Sequence, residues 1–283
     1  MDFFKMHGCG NDYVFLDVLE HPRPSDVENL ARVMSDRQRG IGSDGLIMIG
    51  PSQTAQARME IWNADGSRAE MCGNGIRCVA HHLLASGIVT TERISIETDR
   101  GIRQVAAQRD SNGDLTGFTV DMGSPELEAA RIPTALREGF LLDFPLECGN
   151  RQWKVNCVSL GNPHCVIFVE DLTDELLTVW GPQIENHRLF PSRVNVEFVR
   201  VISKGRVEAR VWERGSGETM ACGTGACAIQ VVGCLTGRTS ERLEVQLPGG
   251  ILQTAWKERG SVMLTGPAVR VFSGRWPSRC GLQ

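Results

Sequence analysis

The two halves of this chain repeat each other at an offset of about 150 residues, and this repeat limits the fold more than any other feature. The stretch EIWNADGSRAEMCGNG at 60–75 aligns with RVWERGSGETMACGTG at 210–225. On either side, GNDYVFLD at 10–17 aligns with GNPHCVIF at 161–168, and ERISIETDRGI at 92–102 aligns with ERLEVQLPGGI at 241–251. Because only two long copies exist, the repeat indicates a duplicated domain and not a solenoid.

The local patterns agree between the halves. DYVFLDVL and CVIFVEDL are rich in β-branched and aromatic residues, and RISIET and RLEVQL alternate apolar with polar residues, so all four predict strands. CGNGIRCVAHHLLASG and CGTGACAIQVVGCLTG each predict a buried helix that begins at a cysteine and ends at a glycine. Ser25 and Glu28 predict a capping box for a further helix.

These patterns predict two domains with a boundary near MGSPELEAARIP at 122–133. The N-terminal half covers 1–125, and the C-terminal half covers 126–266. A last strand within 267–283 is expected to return to the N-terminal half. Each half consists of strands and one central helix.

Cys72 and Cys222 occupy equivalent positions in the two copies, directly before a glycine-rich turn. Backbone N–H groups and the positive end of the helix dipole favour a thiolate there, so a lowered thiol pKa is expected. The same N–H groups suit a carboxylate, which glycine allows to approach closely. If the two cysteines face each other across a cleft, one removes a proton from a carbon and the other delivers one to its opposite face. The pair therefore indicates a two-base racemase or epimerase.

Composition excludes several other classes of function. The chain has a net charge of −4 with scattered basic and acidic residues, which favours neither nucleic acid nor an anionic membrane as a partner. No apolar run approaches the roughly 18 residues that a membrane span needs. MDFFKMHGCGND does not have the pattern of a secretory signal, so a cytoplasmic location is expected. In that reducing compartment the ten cysteines stay free unless they bind metal or do chemistry.

Other interpretations of the cysteines remain open at this stage. Three of them lie in apolar stretches and are expected to pack in the core: Cys165, Cys227 and Cys234. A zinc site would draw on Cys72, Cys78, Cys222 and Cys227, but the spacings C-x5-C and C-x4-C match usual zinc patterns poorly. A structural disulfide between Cys72 and Cys222 is a further alternative. A phosphate-binding loop is disfavoured because neither glycine motif contains the Walker lysine.

An ordered set of motifs spans nearly the whole chain: KMHGCGNDY, GIGSDGL, NADGSRAEMCGNGIRC, SLGNPHCV, RVN and ERGSGETMACGTGACA. In this order they resemble the diaminopimelate epimerase family, whose members work without pyridoxal phosphate (PLP) in the synthesis of lysine and peptidoglycan precursors. The resemblance implies an α/β (α+β) fold of two pseudosymmetric domains. Each domain is a β-barrel-like sheet around a central helix, and the active site is expected in the cleft between the two domains.

The resemblance also implies roles for residues that match the family's motifs. Cys72 corresponds to the acid that protonates the LL substrate and Cys222 to the base, and His164 supports catalysis near the cysteines. The N–H groups of Gly73, Asn74, Gly223 and Thr224 would hold the carboxylate at the reacting carbon. The ligand-binding asparagines correspond to Asn11, Asn63, Asn162 and Asn195. Glu213 would accept hydrogen bonds from a substrate ammonium, and Arg214 would bind a substrate carboxylate.

The expected partners follow from the same resemblance. The substrate is diaminopimelate, the assembly is a homodimer, and no cofactor or metal is needed. None of the four lysines lies in a cysteine loop, which agrees with independence from PLP. Gly45 stands where some family members have glutamine, so no binding role is assigned to it. His81 and His82 are interpreted as ordinary helix residues, and the tail RWPSRCGLQ has no assigned role. A racemase of another amino acid and a non-enzymatic metal or redox protein are the alternatives.

Overall fold

The computed structural model describes residues 1–277. The chain divides into two compact units, which are described separately below. Unit 1 comprises Met1–Val120 and the described residues from Gly266 onward, and unit 2 comprises Asp121–Thr265.

Unit 1 is built on a sheet of eight successive strands and one short side strand. The strands are β1 (Asp2–Gly8), β2 (Asn11–Asp17), β3 (Gly45–Gly50), β4 (Ala57–Asn63), β5 (Arg68–Ala69), β6 (Arg93–Thr98), β7 (Gly101–Arg109), β8 (Leu115–Asp121) and β18 (Val269–Arg275). They pair in the order β18-β1-β2-β3-β4-β6-β7-β8, with β5 added to β4. The pairs β2–β3 and β4–β6 are parallel, and the others are antiparallel.

Unit 2 repeats this arrangement strand for strand. Its strands are β9 (Phe144–Cys148), β10 (Arg151–Ser159), β11 (Pro163–Phe168), β12 (Asn195–Ser203), β13 (Arg206–Glu213), β14 (Gly217–Thr219), β15 (Arg242–Leu247), β16 (Gly250–Trp256) and β17 (Val262–Gly266). The order is β9-β10-β11-β12-β13-β15-β16-β17, with β14 added to β13. As in unit 1, only the third and fifth pairs in this order, β11–β12 and β13–β15, are parallel. The internal sequence repeat is therefore a repeat of sheet topology.

Each unit has one helix that the sheet surrounds. In unit 1, α2 (Gly73–Ala85) contacts β1 and β2 as well as β6 and β7. In unit 2, α4 (Gly223–Leu235) contacts β10, β11 and β12 as well as β15 and β16. A helix that contacts strands near both ends of its sheet is enclosed by a curved, barrel-like sheet. The prediction of a central helix beginning after each cysteine is confirmed, and Gly87 and Gly237 follow the helix ends with positive φ, as a left-handed C-cap requires.

A second, shorter helical segment packs against the sheet of each unit. In unit 1 this is α1 (Val27–Ser35), whose buried residues Ala31 and Met34 join a core with Leu46 and Trp62. The predicted cap at Ser25 is wrong by one residue, because Asp26 is the N-cap and accepts from the Asn29 backbone N–H.

In unit 2 the corresponding segment is a π-helical turn, Leu176–Trp180, that continues into α3 (Gly181–Glu185). Trp180 lies edge-on to the buried Trp153, which also packs edge-on against Phe198. Among residues 1–277 no helix combines the length and the apolar character that crossing a bilayer demands.

Candidate active site

Cys72 caps the N-terminus of α2 with its own side chain. The residue has an extended backbone, and its Sγ accepts from the Gly75 backbone N–H at 3.3 Å. The sulfur also lies 3.6 Å from Asn11 Oδ1, to which the thiol donates. Asn11 Oδ1 accepts a second bond from Asn74 Nδ2 at 3.1 Å. Asn11, which lies in the motif KMHGCGNDY, thus meets Cys72 and Asn74, which lie in NADGSRAEMCGNGIRC, at one helix end.

A buried arginine that the sequence reasoning missed braces this helix end. Arg77 is fully buried, and it donates to the Gly73 carbonyl oxygen and to Asn74 Oδ1, both at 2.8 Å. Its Nε also donates to the Pro267 carbonyl oxygen at 3.2 Å. These bonds fix the peptide and the side chain that follow Cys72. The available signal was an arginine inside the otherwise apolar run IRCVA.

Asn11 is held in turn by a carboxylate cluster. Its Nδ2 donates to Asp44 Oδ2 at 2.7 Å, and Asp44 also accepts from Arg37 at 2.9 Å. Burial raises the pKa of Asp44, and the neighbouring charge of Asp12 raises it further. Asp12 itself has a lowered pKa: burial acts to raise it, but the bonds from Arg37 and Lys5 prevail. The amide of Asn11 is therefore oriented with its oxygen towards Cys72.

Asn63 lies at the end of β4, and its contacts differ from those of the other asparagines. Its Nδ2 donates to Ser67 Oγ at 3.0 Å. On the neighbouring strand, Gly45 pairs with Asn63, and a Cβ at Gly45 would lie 2.2 Å from the Trp62 carbonyl oxygen. A larger residue at position 45 therefore requires a shift of this backbone.

Cys222 caps α4 in the same way, and the local geometry of the two caps agrees closely. Its Sγ accepts from the Gly225 backbone N–H at 3.4 Å and lies 3.5 Å from Thr224 Oγ1. The expectation of a lowered thiol pKa is wrong here. Burial raises the pKa of Cys222 well above its usual value, and the charges of Glu213 and Glu197 act in the same direction. The bonds from Thr224 and Gly225 lower the pKa but do not offset burial.

A line of polar side chains leads from Cys222 into the interior of unit 2. Asn162 Nδ2 donates to Thr224 Oγ1 at 3.2 Å, and Asn162 Oδ1 lies 3.1 Å from His164 Nε2. His164 and Glu197 are fully buried, with Nδ1 and Oε1 2.6 Å apart. The sequence reasoning missed Glu197. The available signal was a carboxylate in the strand NVEFV, where the repeat places the apolar Ile47 in the other half.

Asn195, Glu213 and Arg214 form a second group in unit 2. The side-chain amide of the buried Asn195 bonds to the backbone at both ends. Its Nδ2 donates to the Pro163 oxygen at 2.9 Å, and its Oδ1 accepts from the Arg214 N–H at 2.9 Å. Glu213 is half-buried and accepts from Thr219 Oγ1 at 2.6 Å. The Arg214 side chain is exposed, with one bond to the Ser192 oxygen at 3.2 Å. Asn195 thus anchors the loop that carries Arg214.

The remaining thiols are mostly core residues. Cys78, Cys165 and Cys227 are buried, as expected for the last two, and burial raises the pKa of Cys78 to about 12. Cys234 is only half-buried, so its predicted place in the core is wrong, because its sulfur lies at the helix end within 3.2 Å of the Ser240 oxygen. Within the described part of the chain, no three His, Cys, Asp or Glu side chains are grouped as metal ligands. Cys280 lies outside the described residues.

Comparison with solved structures defines the fold first. The fold matches a probable proline racemase from Agrobacterium radiobacter K84 with a TM-score of 0.73 at 14% identity, covering 99% of this chain and 94% of that one. This likeness shows the fold, a mixed α/β architecture that is also similar to a hydroxyproline epimerase from Agrobacterium vitis, with a TM-score of 0.67 at 16% identity, covering 97% of this chain and 90% of that one.

Sequence comparison then gives the family. The family model described as diaminopimelate epimerase matches residues 3–128 and 156–271. Diaminopimelate epimerases from Moorella thermoacetica and Desulforudis audaxviator are each 48% identical, covering 98% of this chain and 99% of theirs. The chain belongs to the diaminopimelate epimerase family.

Proposed function

We propose that this protein interconverts LL- and meso-2,6-diaminopimelate without PLP, in the synthesis of lysine and peptidoglycan precursors. The observation that carries the proposal is the family match along both halves of the chain, together with a 48% identical relative over nearly its full length. The cysteine cap at the same place in both units supports a reaction that needs an acid and a base of the same kind.

In the proposed reaction, Cys222 as thiolate removes the α-proton of the LL isomer. Cys72 as thiol delivers a proton to the opposite face of the same carbon, which inverts its configuration. The two sulfurs exchange protonation states in each turnover, and the reverse reaction uses the opposite roles. The proposal therefore requires that both sulfurs reach one α-carbon from opposite sides.

The reacting carboxylate is proposed to bind at the two helix starts. The N–H groups of Gly73 and Asn74, and of Gly223 and Thr224, lie in the first turns of α2 and α4, where a helix offers no carbonyl partner. Together with the positive helix ends they stabilise the negative charge that develops when the α-proton leaves. This stabilisation replaces the electron sink that PLP provides in other enzymes.

The distal part of the substrate is assigned to the polar side chains. Asn11, Asn63, Asn162 and Asn195 are proposed to contact the ligand or to hold the groups that do. Arg214 has an exposed planar fork that suits the distal carboxylate. Such a residue discriminates diaminopimelate from proline, because proline has no second charged end.

Glu213 is proposed to accept hydrogen bonds from the α-ammonium of the substrate. Its negative charge helps to keep Cys222 protonated in the free enzyme. A bound ammonium cancels that charge, so the thiolate becomes accessible when substrate is present. The raised pKa of Cys222 then favours proton removal, because the thiolate of a weaker acid is a stronger base towards a poorly acidic C–H bond.

The assembly is proposed to be a cytoplasmic homodimer that pairs through β18. All seven residues of this strand are exposed, and three of them are large and apolar: Val269, Val271 and Phe272. Among the described residues β18 pairs only with β1, which leaves its outer edge open for a second chain. Val271→Lys should convert the dimer to a monomer in analytical ultracentrifugation, whereas an unchanged dimer would place the interface elsewhere. The nine described free cysteines suit a reducing compartment.

The experiment that tests the function is conversion of LL-diaminopimelate in deuterated water after dialysis against chelator and thiol reductant. The first product should be the meso isomer with deuterium at one α-carbon only, because only one centre lies between the thiols. Cys72→Ala and Cys222→Ala should each abolish conversion. Label at both α-carbons, or full activity in either variant, would exclude the two-base assignment. Mild oxidation should inactivate the enzyme reversibly, with Cys72 linked to Cys222 in peptide maps.

A further inference from the structure

The two cysteine caps agree in backbone geometry but differ in the groups beneath them. The side chain that faces the third residue of each helix differs. A Cβ built on Gly75 would lie 2.4 Å from Ile47 Cδ1, whereas a Cβ built on Gly225 would lie 2.8 Å from Glu197 Oε1. Ile47 and Glu197 occupy the same place in the repeat, 150 residues apart. Unit 2 therefore has a buried carboxyl group where unit 1 has hydrocarbon.

The carboxyl group of Glu197 belongs to a continuous line of hydrogen bonds. It contacts His164, which contacts Asn162, which donates to Thr224, whose hydroxyl lies 3.5 Å from Cys222 Sγ. The parallel pairing of β11 with β12 brings His164 and Glu197 together across 33 residues of sequence. None of these bonds involves the N–H groups to which the substrate carboxylate is assigned.

Which group donates in each of these hydrogen bonds follows from the protons that each side chain carries. Asn162 presents its Nδ2 to Thr224 and its oxygen to His164, and an amide oxygen only accepts. His164 Nε2 must therefore carry a proton. At 2.6 Å, a bare Nδ1 and a bare carboxylate oxygen would repel each other, so the His164–Glu197 contact holds one further proton. The pair as a whole is neutral and donates towards Asn162.

At the far end, this direction favours a Thr224 hydroxyl that donates to Cys222. Thr224 Oγ1 accepts from Asn162, which leaves the hydroxyl proton available to the sulfur. In unit 1 the hydrogen bond at the sulfur runs in the opposite direction. Asn11 presents an amide oxygen to Cys72, and that oxygen accepts from the thiol. An acceptor favours the thiol, and a donor favours the thiolate.

We propose that Glu197 is a positioning residue that acts through His164 to direct a hydroxyl proton at the sulfur of Cys222. This assignment rests on the proposed two-base function and goes beyond it. It makes Cys222 the sulfur that loses its proton more readily and Cys72 the sulfur that keeps its proton before substrate binds. Glu213, on β13, is the other charged group that faces Cys222, and the charges of both carboxyl groups raise the pKa of this thiol. The proposed effect of Glu197 is therefore exerted through the hydrogen bonds that end at Thr224, which lower the pKa, and not through its charge.

Two variants of Glu197 distinguish the direction of the hydrogen bonds from the charge of the carboxyl group. In Glu197→Gln the new amide N–H donates to His164 Nδ1 and preserves the direction of the line. In Glu197→Leu the shape is nearly kept, but the tautomer of His164 is no longer fixed. Loss of one hydrogen bond to a thiolate corresponds to about 1 to 2 pKa units, so the thiolate fraction at pH 8 should fall about 10- to 100-fold in the leucine variant.

The primary readout is the rate of alkylation of Cys222 by iodoacetamide at pH 8, located by fragment-resolved mass spectrometry. The rate should fall about 10- to 100-fold in Glu197→Leu and by less than about 3-fold in Glu197→Gln. Alkylation of Cys72 in the same sample serves as the internal control and should not change. With substrate, kcat should fall in parallel while KM changes by less than about 3-fold, since Glu197 is not a substrate contact. An unchanged alkylation rate in Glu197→Leu, or an equal loss in Glu197→Gln, would overturn the proposal.

A measurement on the intact protein covers the case in which Glu197→Leu does not fold. In ¹⁵N-histidine-labelled protein, His164 Nε2 should be protonated in the NMR spectrum, with the signal assigned by its loss in His164→Gln. A deprotonated Nε2 would reverse the line and overturn the proposal. Neither alkylation nor NMR requires substrate, so these results stay distinct from failure of the epimerase assay on the intact chain.

Discussion

The buried thiol of Cys78 should make the stability of this protein fall in alkaline solution. Cys78 lies on α2, six residues after the capping Cys72, and is 1% exposed. Burial raises its pKa from 9.0 to about 12, and the charge of Arg77 lowers it only partly. The folded state therefore keeps the proton that the unfolded chain releases above pH 9, and the free energy of unfolding falls between pH 9 and pH 12.

The size of the effect follows from the difference of about 3 pKa units. At 1.36 kcal/mol per unit, the full loss is ~4 kcal/mol, and about half of it, ~2 kcal/mol, is reached by pH 10.5. Cys78→Ala removes the titrating group at a pH-independent cost of ~1 kcal/mol for the small cavity. The wild type should be more stable than Cys78→Ala at pH 8 and less stable at pH 10.5, with a crossing at about pH 9.7.

Urea unfolding in the presence of a thiol reductant, at intervals between pH 8 and pH 10.5, measures this crossing. Val79→Ala is the matched control, because Val79 is fully buried on the same helix and has no titrating group. Its difference from the wild type should stay constant over the same range. If the wild-type and Cys78→Ala curves run parallel up to pH 10.5, the thiol is not the group that burial holds protonated, and the reasoning fails.

Two further predictions concern the packing around the first helix start. Arg77→Met keeps most of the volume but removes the buried guanidinium and its bonds to the Gly73 oxygen and Asn74 Oδ1, so unfolding stability should fall by about 2 to 4 kcal/mol and KM should rise. Unchanged urea midpoints and kinetics would contradict the bracing role. Gly45→Ala should lower thermal stability severely or prevent folding, because its Cβ would lie 2.2 Å from a backbone oxygen. Gly50→Ala on the same strand is the control, since its Cβ would have an ordinary 3.6 Å contact, and equal losses in both variants would refute the argument.

Local sequence was enough to predict the elements that position the site. The repeat at 150 residues predicts two similar units, and in each unit the strands and the helix after the cysteine appear where the apolar patterns indicate. These features depend on residues within a few positions of one another, such as the Gly75 N–H that reaches Cys72. Even local patterns have limited accuracy, since adjacent Ser25 and Asp26 are both good caps and only the backbone selects Asp26.

Tertiary structure decided the electrostatics of the site. A helix start by itself favours a thiolate, but the sheet encloses Cys222, and β12 and β13 bring two carboxyl groups towards it, so burial and charge prevail over the local effect. The contact between His164 and Glu197 depends on the parallel pairing of two strands, which no pattern near either residue reveals. The sequence by itself indicated which side chains are proposed to carry the chemistry. The direction of the hydrogen bonds around them arises only when residues distant in the chain are packed together without water.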